Sequence, residues 1–411
     1  MKVLHLVGGS LSGGAARGAY CIHTGLKELG IRSMILTNSR TTLGDSSVVT
    51  INTGLKTRLL AILRGRFESL PLNLYRRRRS EIYSTGFCGY DFTQTPEYKE
   101  ADIIHLHWIN AGFVNIKHLS KVEKPIVWTM HDMWPMTGGC HIAMDCDRYT
   151  SLCGKCPRLN SKTRWDLSRF VINRKKKYLP RKLVPVGISS WLSDKAKTSF
   201  LLHSFDLTTI HNTVDTKTFF PVEKSMAREI LRVPKDRKII CVAAQNLMDV
   251  WKGFGKFLQA IELLDKNEYF LCIMGNCEQS LISQTGFDYK YFGFLQDNIS
   301  IQLVYSAANV FVAPSIIESF GRMLIEALAC ATPVVCFDAT GPKDIIDHKV
   351  DGYKAEPFSF NDLATGIRWV CEHPHPSDLH EAALSKVKKQ FDLPIIARQY
   401  INLYEKLLRD E

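Results

Sequence analysis

The sequence of 411 residues lacks any long hydrophobic run. No stretch approaches the roughly 18 uncharged apolar residues that a membrane-spanning helix requires. The amino-terminal segment MKVLHLVGG has only a few apolar residues before its glycines, which is typical of a buried strand and not of a signal peptide. We therefore expect a cytoplasmic protein whose contact with a membrane is peripheral.

The sequence also lacks low-complexity tracts, repeats of solenoid length and any helix-turn-helix, RRM or zinc-finger pattern. Hydrophobic residues make up 45% of the chain and charged residues 23%, so we expect a folded protein with a sizeable core. The net charge of +12 favours anionic partners. Because no nucleic-acid motif accompanies this charge, acidic lipids and phosphorylated ligands fit it better than nucleic acid does.

Two series of short apolar runs alternate with segments of helical periodicity. Such runs are typical of parallel strands buried on both faces, and their alternation with helices predicts doubly wound α/β sheets. Because there are two series, we expect two such domains. The predicted strands are 3–7, 33–36, 103–106, 126–130 and 184–188 in the first series, and 239–244, 270–274, 310–313 and 334–337 in the second.

The predicted boundary between the domains is the segment IHNTVDTKTFFP, which contains turn-forming residues and a proline. We assign residues 1–210 to an amino-terminal domain, 211–221 to a linker and 222–392 to a carboxy-terminal domain. Residues 393–411 predict a final amphipathic helix. Its apolar stripe consists of Ile396, Tyr400, Leu403 and Leu407.

A glycine-rich loop, GGSLSGGAA, follows the first predicted strand and leads directly into a helix. Small residues let backbone N–H groups approach an anion, and the helix amino terminus adds partial positive charge. The loop lacks the G-x-G-x-x-G spacing and no acidic residue ends the second strand, so an NAD site is disfavoured. Gly13, Gly14 and Ala15 are candidate ligand contacts, and a tight turn without a ligand is the alternative.

An acidic pair, Glu318 and Glu326, brackets the run ESFGRMLIE after a predicted strand. We expect Glu318 in a loop and Glu326 on the following helix. Helical rise over the whole run would separate them by roughly 12 Å, about the distance from the sugar to the ribose of a nucleotide-sugar. Phe320 and Gly321 would offer backbone N–H groups to a diphosphate or a sugar oxygen. The alternative, two solvated helix glutamates, fits the flanking apolar residues less well.

The run ESFGRMLIEALACATPVV resembles the E-x7-E signature of the retaining, family-4 GT-B glycosyltransferases. Other segments follow the family's pattern in the expected order: SLSGGAARGAY resembles its glycine loop, IHNTVDTKTFFP its interdomain segment and VWKGF its donor-domain lysine motif. The resemblance covers the whole chain. HLHW, TMHDMWPMTGGCH and a cysteine cluster make it most similar to bacterial exopolysaccharide and O-antigen enzymes of the colanic acid type.

The resemblance implies a GT-B fold, in which two Rossmann-like domains face each other across a cleft. The amino-terminal domain would bind the acceptor, the carboxy-terminal domain would bind the nucleotide-sugar, and the last helix would pack back on the former. Glu318 would contact the transferring sugar, Glu326 would accept both ribose hydroxyls, and Lys252 would neutralise the donor diphosphate. Residues 13–15 would approach the diphosphate or the acceptor.

His131 ends a predicted strand and matches the family's active-site histidine, which implies a hydrogen bond to a sugar hydroxyl. A purely structural role is the alternative for a single histidine in this position. His105 and His107 alternate along the neighbouring strand, so both point to one side of it. A structural role and an acceptor-side role fit these two equally well.

The sequence departs from the family at one phosphate ligand. The family places an arginine a few residues before the lysine, where this chain has Gln245 and Asn246. Arg322 is a candidate substitute. The resemblance implies front-face transfer with retention, without a catalytic cofactor, onto a lipid-linked oligosaccharide in surface polysaccharide synthesis. A GT-B epimerase or phosphorylase and a non-catalytic scaffold of a polysaccharide assembly complex remain alternatives.

Four of the 12 cysteines lie within one short segment, and two of them form a C-x-x-C knuckle. Four thiolates this close together in a cytoplasmic chain favour a structural zinc ion, and a site closed by four ligands would not be catalytic. A redox or disulfide role and unligated thiols remain alternatives. The formal DxD motif inside this loop is interpreted as a coincidence. The four residues are Cys140, Cys146, Cys153 and Cys156.

Two basic segments, residues 54–79 and 174–182, carry much of the excess charge. An apolar stripe beside dense positive charge suits peripheral docking on an anionic membrane face, with a solvated basic helix as the alternative. The stripe in the first segment is Leu55, Leu59, Leu63 and Phe67, among Lys56, Arg58, Arg64 and Arg66, and the segment ends in Arg76–Arg79.

Overall fold

The computed structural model describes residues 1–11, 13–41, 44–51, 54–79 and 81–410, and only the backbone of residues 55, 56 and 58. Contacts between Cα atoms divide the chain into two compact units. Unit 1 comprises Met1–His211 and Ile396–Glu411, and unit 2 comprises Asn212–Ile395. The predicted linker, residues 211–221, is therefore divided: His211 lies in unit 1 and residues 212–221 lie in unit 2.

The described part of unit 1 contains seven strands, which are β1 (Lys2–Leu6), β2 (Arg32–Thr37), β3 (Val48–Thr50), β4 (Ile103–Leu106), β5 (Ile126–Met130), β6 (Leu183–Gly187) and β7 (Thr208–Thr209). They form one parallel sheet in the order β3-β2-β1-β4-β5-β6-β7. Every residue of β4, β5 and β6 is buried, which explains why these strands are largely apolar. The five predicted strands are confirmed, and β3 and β7 are additional short edge strands.

Helices cover both faces of this sheet. The apolar stripe predicted for the last helix is partly buried: Ile396 and Tyr400 pack in one cluster with Val3 and Ile103 of the sheet. The hydroxyl of Tyr400 also lies 2.8 Å from that of Thr129. The helices of unit 1 are α1 (Gly14–Glu28), α2 (Leu55–Ser69), α3 (Pro96–Glu100), α4 (Leu167–Tyr178) and α5 (Ser190–Lys197), and the final helix of the chain, Leu393–Arg409, lies in it from Ile396 onward.

Unit 2 contains six strands, which are β8 (Lys238–Asn246), β9 (Tyr269–Asn276), β10 (Tyr289–Gly293), β11 (Val310–Ala313), β12 (Val334–Phe337) and β13 (Gly352–Ala355). They form a second parallel sheet in the order β10-β9-β8-β11-β12-β13. The four predicted strands are its four central ones. The prediction of two doubly wound α/β sheets is therefore confirmed.

The helices of unit 2 are α6 (Lys224–Leu231), α7 (Phe254–Ile261), α8 (Gln279–Ser283), α9 (Asn298–Ala307), α10 (Arg322–Ala329), α11 (Phe360–Cys371) and α12 (Pro376–Gln390), and the final helix of the chain is α13 (Leu393–Arg409). Helix α7 buries Phe257 and Ile261 against Val242 and Ile273 of the sheet. This side-chain packing fixes the position of the loop that enters α7 after β8.

Both sheets reverse their strand order at one place, between β1 and β4 in unit 1 and between β8 and β11 in unit 2. In open α/β sheets, ligands bind beyond the carboxyl ends of the strands at such a switch point, because the two adjoining loops diverge there. The loops after β1 and β4, and after β8 and β11, are therefore the places to look for function.

Candidate active site

The loops that carry Lys252 and Glu318 follow β8 and β11, the two strands at the switch point of unit 2. Gly253 has a φ of 67°, and a Cβ on it would lie 1.9 Å from the carbonyl oxygen of Pro314. Only glycine permits this approach. The backbone N–H of Ile316 donates to the carbonyl oxygen of the residue before Lys252, at 2.8 Å. These contacts hold the two loops side by side.

The two loops join through an ion pair. The ammonium of Lys252 lies 2.6 Å from Oε2 of Glu318, and each side chain is about a quarter exposed. The backbone of Glu318 is fixed as well: its N–H donates to the hydroxyl of Thr340 at 3.2 Å, and its carbonyl oxygen accepts from the N–H of Gly341 at 2.9 Å. The structure thus places a cation and a carboxylate together. Both are partly exposed to solvent, so a ligand can reach both.

The second acidic residue, Glu326, lies on α10 and is only 5% exposed. Its Oε1 atom is 3.1 Å from Nη2 of Arg322, one helical turn earlier. Helix α10 begins at Arg322, so Glu318 is in the loop and Glu326 on the helix, as predicted. The helical estimate of the distance between them does not hold, because the helical rise begins only at Arg322.

Phe320 and Gly321 form the entry to α10. The ring of Phe320 is buried and packs edge to face on Phe391, with 5.8 Å between ring centres. Gly321 is the N-cap residue and has a φ of 108°, where a Cβ would lie 2.8 Å from a methyl group of Leu324. Glycine is therefore required here for local backbone reasons. The role of Phe320 in the structure is to anchor this turn through its side chain.

No arginine stands at the family's usual phosphate position. Gln245 is exposed at the end of β8, and the amide of Asn246 donates to Asp249 at 2.9 Å, which shapes the turn before Lys252. Arg322, the predicted substitute for the family's phosphate-binding arginine, lies beside Glu326.

The glycine loop of unit 1 contains glycines of two kinds. A Cβ on Gly8 would lie 2.9 Å from the carbonyl oxygen of Trp108, and Gly9 has a φ of 91°, so both are required by the fold. Gly13 and Gly14, at the start of α1, have no such requirement: a Cβ on either would meet nothing within 4 Å. Ala15 follows inside the helix. The predicted loop residue Ser12 lies outside the described residues.

Beyond β5, His131 is part of a row of histidines. Its Nε2 lies 3.0 Å from Nδ1 of His107, and Nε2 of His107 lies 3.0 Å from Nδ1 of His5. Burial, followed by the charges of neighbouring histidines, lowers the pKa of both His5 and His107 well below the usual value. Sequence reasoning missed His5, although a histidine inside an apolar strand is itself unusual.

One nitrogen from each of His5, His105 and His107 lies within 4.8 Å of the others, which is close enough to consider a metal. However, both nitrogens of His105 already have partners: Nε2 lies 2.7 Å from the hydroxyl of Thr129 and Nδ1 lies 2.6 Å from the hydroxyl of Tyr404. His5 and His107 are thus hydrogen-bonded to each other, and His105 packs against both of their rings while its nitrogens contact hydroxyls.

The segment after His131 is held by polar contacts that sequence reasoning did not find. Oδ2 of Asp132 lies 2.7 Å from Nδ1 of His141, and Nε2 of His141 lies 2.9 Å from the hydroxyl of Ser84. Burial acts to raise the pKa of Asp132, but the charge of His141 and its hydrogen bond outweigh burial and lower it. Asp132 also accepts from the backbone N–H of Trp134 at 2.8 Å.

The prediction that the basic run 174–182 docks on a membrane is wrong for Lys175. This lysine belongs to that run, yet its side chain is fully buried on α4. Its ammonium donates to the carbonyl oxygens of Trp134 and, at 3.0 Å, Thr137, and it lies 3.6 Å from the centre of the Trp134 ring. Burial lowers its pKa to about 7. Lys175 is therefore not available for docking on a membrane, because its buried ammonium is hydrogen-bonded to the loop after His131.

The four clustered cysteines are free thiols that line a single cavity of about 20 Å³ in unit 1. Burial and then the neighbouring thiols raise the pKa of Cys140 and of Cys153 to about 12. A cation at the centre would reverse this, because metal coordination deprotonates a thiol. No three of these sulfurs lie within 4.8 Å of one another among the described residues, so zinc would require them to close around it. The other two, Cys146 and Cys156, complete the set.

Helix α2 exposes most of its apolar side chains. Leu59 is 60% exposed and Phe67 is 56% exposed, while the predicted side chains of Leu55, Lys56 and Arg58 lie outside the described part. The α2 surface is defined here as Leu59, Leu60, Ile62, Leu63, Phe67, Leu70 and Leu74 together with the exposed Arg66 and Arg76–Arg79.

A buried carboxylate anchors this exposed helix. Of the described side chains of α2, only that of Glu68 is buried, and its two oxygens accept hydrogen bonds of 2.5–3.0 Å from four consecutive backbone N–H groups, those of residues 85–88. The helix is thus fixed at its carboxyl end while its apolar side chains face solvent. In the described part of the chain, every helix is too short or too polar to cross a membrane.

Two family models match the chain. The model described as Glycosyltransferase Family 4 matches residues 12–218, half of the chain, and the model described as Glycosyl transferases group 1 matches residues 223–389.

Among curated proteins, an uncharacterised glycosyltransferase of Methanocaldococcus jannaschii is 27% identical over 192 residues, which are 44% of this chain and 48% of that protein. An N,N'-diacetylbacillosaminyl-diphospho-undecaprenol alpha-1,3-N-acetylgalactosaminyltransferase of Campylobacter jejuni is 24% identical over 48% of this chain and 53% of its own length. A glycosyl transferase assigned to colanic acid biosynthesis in Escherichia coli is 22% identical over 62% and 63%. The chain spans about half the length of the first of these relatives.

Among solved structures, sucrose-phosphate synthase from Thermosynechococcus elongatus superposes with a TM-score of 0.72 at 19% identity, over 100% of both chains. The HepE protein of Anabaena, in complex with UDP and glucose, superposes with a TM-score of 0.65 at 18% identity, over 98% of this chain and 99% of that one. Such similarity establishes a shared fold, so the chain has the GT-B fold with a Rossmann-like domain in each unit. Because the family model covers half of the chain, the protein belongs to glycosyltransferase family 4.

Proposed function

We propose that this protein is a retaining glycosyltransferase that moves a sugar from a nucleotide-sugar donor to a lipid-linked oligosaccharide in surface polysaccharide synthesis, such as that of exopolysaccharide or O-antigen. The observation that carries the proposal is the Lys252–Glu318 pair, held where the loops after β8 and β11 meet. A cation next to a carboxylate at a switch point offers one group for a phosphate and one for a sugar hydroxyl.

The donor would replace the partners that the charged residues have in the structure. Its diphosphate would take the ammonium of Lys252, which frees the carboxylate of Glu318 to accept hydrogen bonds from the transferring sugar. Glu326 would accept both ribose hydroxyls, and Arg322, which lies 3.1 Å from it, would supply the charge of the missing arginine. The backbone N–H groups of Phe320 and Gly321 would face the diphosphate or a sugar oxygen.

The residues of unit 1 would bind the acceptor and help to orient the reacting groups of donor and acceptor. Gly13, Gly14 and Ala15 leave the amino terminus of α1 open to close approach by a diphosphate or an acceptor. His131 would hydrogen-bond a sugar hydroxyl. In the reaction, the acceptor hydroxyl would bond to the anomeric carbon on the face from which the diphosphate leaves, and the leaving phosphate oxygen would take the hydroxyl proton. Lys252 compensates the departing charge, so no catalytic metal is required.

The experiment measures transfer with and without acceptor. Thermal shift against UDP-, GDP- and ADP-sugars selects the donor, because a ligand that binds the folded state raises the melting temperature. Nucleotide release is then measured with a membrane extract of lipid-linked oligosaccharide. We expect release only with acceptor, and a loss on the order of 100-fold in Glu318→Gln.

The matched control is Glu262→Gln, an exposed glutamate of unit 2, which should retain full activity. If Glu318→Gln transferred sugar as fast as the unsubstituted protein, the proposed role of Glu318 would fail, whereas a scaffold role would replace the catalytic proposal if the unsubstituted protein transferred no sugar from any donor. Nucleotide release at the same rate without acceptor would also contradict transfer.

The lipid-linked acceptor and a cytoplasmic location at the inner face of the membrane belong to the same proposal. The α2 surface supports them, because exposed apolar side chains beside a row of arginines suit an anionic lipid surface. The name of the Campylobacter relative includes a diphospho-undecaprenol acceptor, which is consistent with this class of substrate.

A structural zinc ion is proposed at the cysteine cavity. Cys140, Cys146, Cys153 and Cys156 would hold it as thiolates, and four sulfur ligands would leave no open position for substrate. Its effect would be to fix the segment between His131 and α4, which carries the partly buried Asp132–His141 pair.

A further inference from the structure

Two arginines of unit 1 lie against the same short segment, residues 87–90, from two different helices. The guanidinium carbon of Arg174, on α4, lies 5.4 Å from the centre of the Phe87 ring. The guanidinium carbon of Arg64, on α2, lies 5.6 Å from the centre of the Tyr90 ring. Both side chains are partly exposed, and neither forms an ion pair with a carboxylate in the described part of the chain. Two cations without counter-charges therefore stand side by side.

Both arginines are held next to the segment that follows β4. Nη2 of Arg174 donates to Oδ1 of Asn115 at 2.9 Å, and the amide of Asn115 donates to the carbonyl oxygen of Phe87 at 2.6 Å. A Cβ on Gly112 would lie 3.3 Å from the Cβ of Arg64, so α2 and the loop after β4 are in direct contact. The pair of arginines thus lies between the exposed helix α2 and the switch point of unit 1.

One donor of this pair lacks an acceptor. Nε of Arg174 is buried and has no hydrogen-bond partner among the described residues. A guanidinium remains charged in proteins, and a buried charged donor without an acceptor costs more free energy than a neutral one. The protein itself therefore leaves a place for an acceptor at Arg174. Phosphate oxygens fit this place well, because a guanidinium binds them with parallel N–H donors.

The thiol of Cys88, which is partly exposed, shows that the two guanidiniums act on the same place. Burial and then the charge of Glu68 raise the pKa of Cys88, whereas the charges of Arg174 and Arg64 act to lower it. Glu68 does not pair with either arginine, because its oxygens accept from the backbone N–H groups of residues 85–88. An anion beside Cys88 would therefore meet two positive charges that no ion pair occupies.

We propose that Arg64 and Arg174 form an anion subsite for the phosphate or diphosphate that links the lipid of the acceptor to its sugar. The lipid chain lies along the α2 surface, and the sugar reaches the loop after β4. This inference rests on the proposed function, because it takes the acceptor to be lipid-linked. It adds the recognition of the charged link between lipid and sugar.

The test measures binding of a soluble lipid diphosphate without donor and without membrane. Isothermal titration with farnesyl diphosphate should give saturable binding. Arg64→Gln and Arg174→Gln should each weaken the affinity about 10-fold or more, because each removes charge-assisted hydrogen bonds. Arg66→Gln and Lys177→Gln remove the same charge from exposed positions of the same two helices and should keep the affinity within about twofold.

Several results would overturn the subsite. One is the absence of saturable binding of farnesyl diphosphate to the unsubstituted protein, whether or not any variant folds. Farnesol that binds as tightly as farnesyl diphosphate would show that the phosphates are not recognised. Equal losses of affinity in all four variants would mean general attraction of charge.

Vesicles of phosphatidylglycerol distinguish the acceptor from the headgroups of the bilayer. For a subsite that binds the acceptor, Arg64→Gln should weaken vesicle binding no more than Arg66→Gln does. If Arg64→Gln and Arg174→Gln weakened vesicle binding more than both control variants, while the affinity for farnesyl diphosphate stayed unchanged, the arginines would bind headgroups and the subsite would be wrong.

Failure of the subsite can be distinguished from failure of the proposed function. If farnesyl diphosphate binds through Arg64 and Arg174 but no nucleotide-sugar supports transfer, the proposed function fails while the subsite stands. If sugar is transferred to a lipid-linked acceptor with the same acceptor KM in Arg64→Gln and in the unsubstituted protein, the subsite is wrong while glycosyl transfer stands.

Discussion

At the scale of single residues, the glycines of the first loop differ in what requires them. A Cβ on Gly8 would meet the backbone of Trp108, whereas a Cβ on Gly14 would meet no other described residue within 4 Å beyond its chain neighbours and its own helix. The protein's own packing therefore explains the first glycine and leaves the second to be explained by a ligand. This difference separates the glycine that the fold requires from the one assigned to the proposed ligand contact.

We predict that Gly14→Ala affects ligand binding and that Gly8→Ala affects stability. Gly14→Ala should leave the melting temperature unchanged and raise the KM for donor or acceptor about 10-fold, because the added methyl group occupies only ligand space. Gly8→Ala should lose about 1–3 kcal/mol of stability, because the carbonyl of Trp108 cannot move away easily. Thermal melts and steady-state kinetics check both. An unaltered KM in Gly14→Ala would contradict the prediction that Gly14 contacts a ligand.

A second prediction concerns His23, which is buried between the hydroxyls of Ser33 and Ser47. Burial, and then the charge of Lys27, lowers its pKa to about 4, below the unfolded value near 6.5. Between pH 6.5 and 4 the unfolded chain thus binds more protons, so stability falls as the pH falls through this window. His23→Gln should make this loss less steep by about 1.4 kcal/mol per pH unit.

Urea titrations from pH 6.5 to 4.5 measure that slope. His203→Gln, at an exposed position, is the matched control and should keep the slope of the unsubstituted protein. If His23→Gln showed the same slope as the control, His23 would not be the group that takes up the proton.

At the scale of elements, α2 combines an exposed apolar surface with a fixed position. Leu59→Ser with Phe67→Ser, and separately Arg76–Arg79 changed to serine, should each weaken binding to vesicles of anionic lipid. The arginine variant should lose about 1 kcal/mol per charge, and this loss should shrink at high salt. Vesicle sedimentation measures binding, with neutral phosphatidylcholine vesicles and Ile299→Ser, an exposed residue of unit 2, as controls. Equal sedimentation of all variants would exclude α2 as the docking element.

The cysteine loop gives a prediction about metal content. The purified protein should contain one zinc ion per chain, and Cys153→Ser should lose most of it and melt at a lower temperature, because an incomplete thiolate set binds zinc weakly. Cys277→Ser, a cysteine of unit 2 outside the cluster, should retain the metal. Elemental analysis of both variants decides the point, and unsubstituted protein that contains no zinc when purified without chelator would refute it.

The central strands could be predicted from the sequence, but several edge strands and long-range contacts could not. Runs such as β11 and β12 are apolar throughout, because both of their faces are buried. In contrast, the edge strand β10 is only half-buried and contains a lysine, so its pattern does not stand out. Lys175 shows a different limit: a basic run predicts solvent exposure, and only the tertiary fold shows that this one side chain turns inward.

At the scale of the whole molecule, the paired motifs could be read from the sequence because each follows a strand at a switch point. Lys252 and Glu318 are 66 residues apart, yet their strands are neighbours in the sheet. The i,i+4 spacing of Arg322 and Glu326 on one helix likewise favours their pairing. In contrast, nothing local in the sequence indicates that His107 would connect His5 with His131.

For the intact protein we predict retention without an added divalent metal. Transfer should continue at an unchanged rate in EDTA during a short assay of zinc-loaded protein, because in the proposed mechanism Lys252 would supply the charge for the leaving diphosphate. NMR of the product should show the anomeric configuration of the donor. An absolute requirement for Mg²⁺ or Mn²⁺, or an inverted product, would contradict the proposed mechanism.

The carboxylate of Glu68 has a consequence for deuterium exchange. The four amides of residues 85–88 share this one acceptor group, and they belong to a loop, where amides usually exchange quickly. Their exchange therefore requires that the carboxyl end of α2 move away. The exchange rate of these four amides therefore reports how often α2 detaches. A lipid surface that draws the helix away would raise this exchange rate without unfolding the sheet.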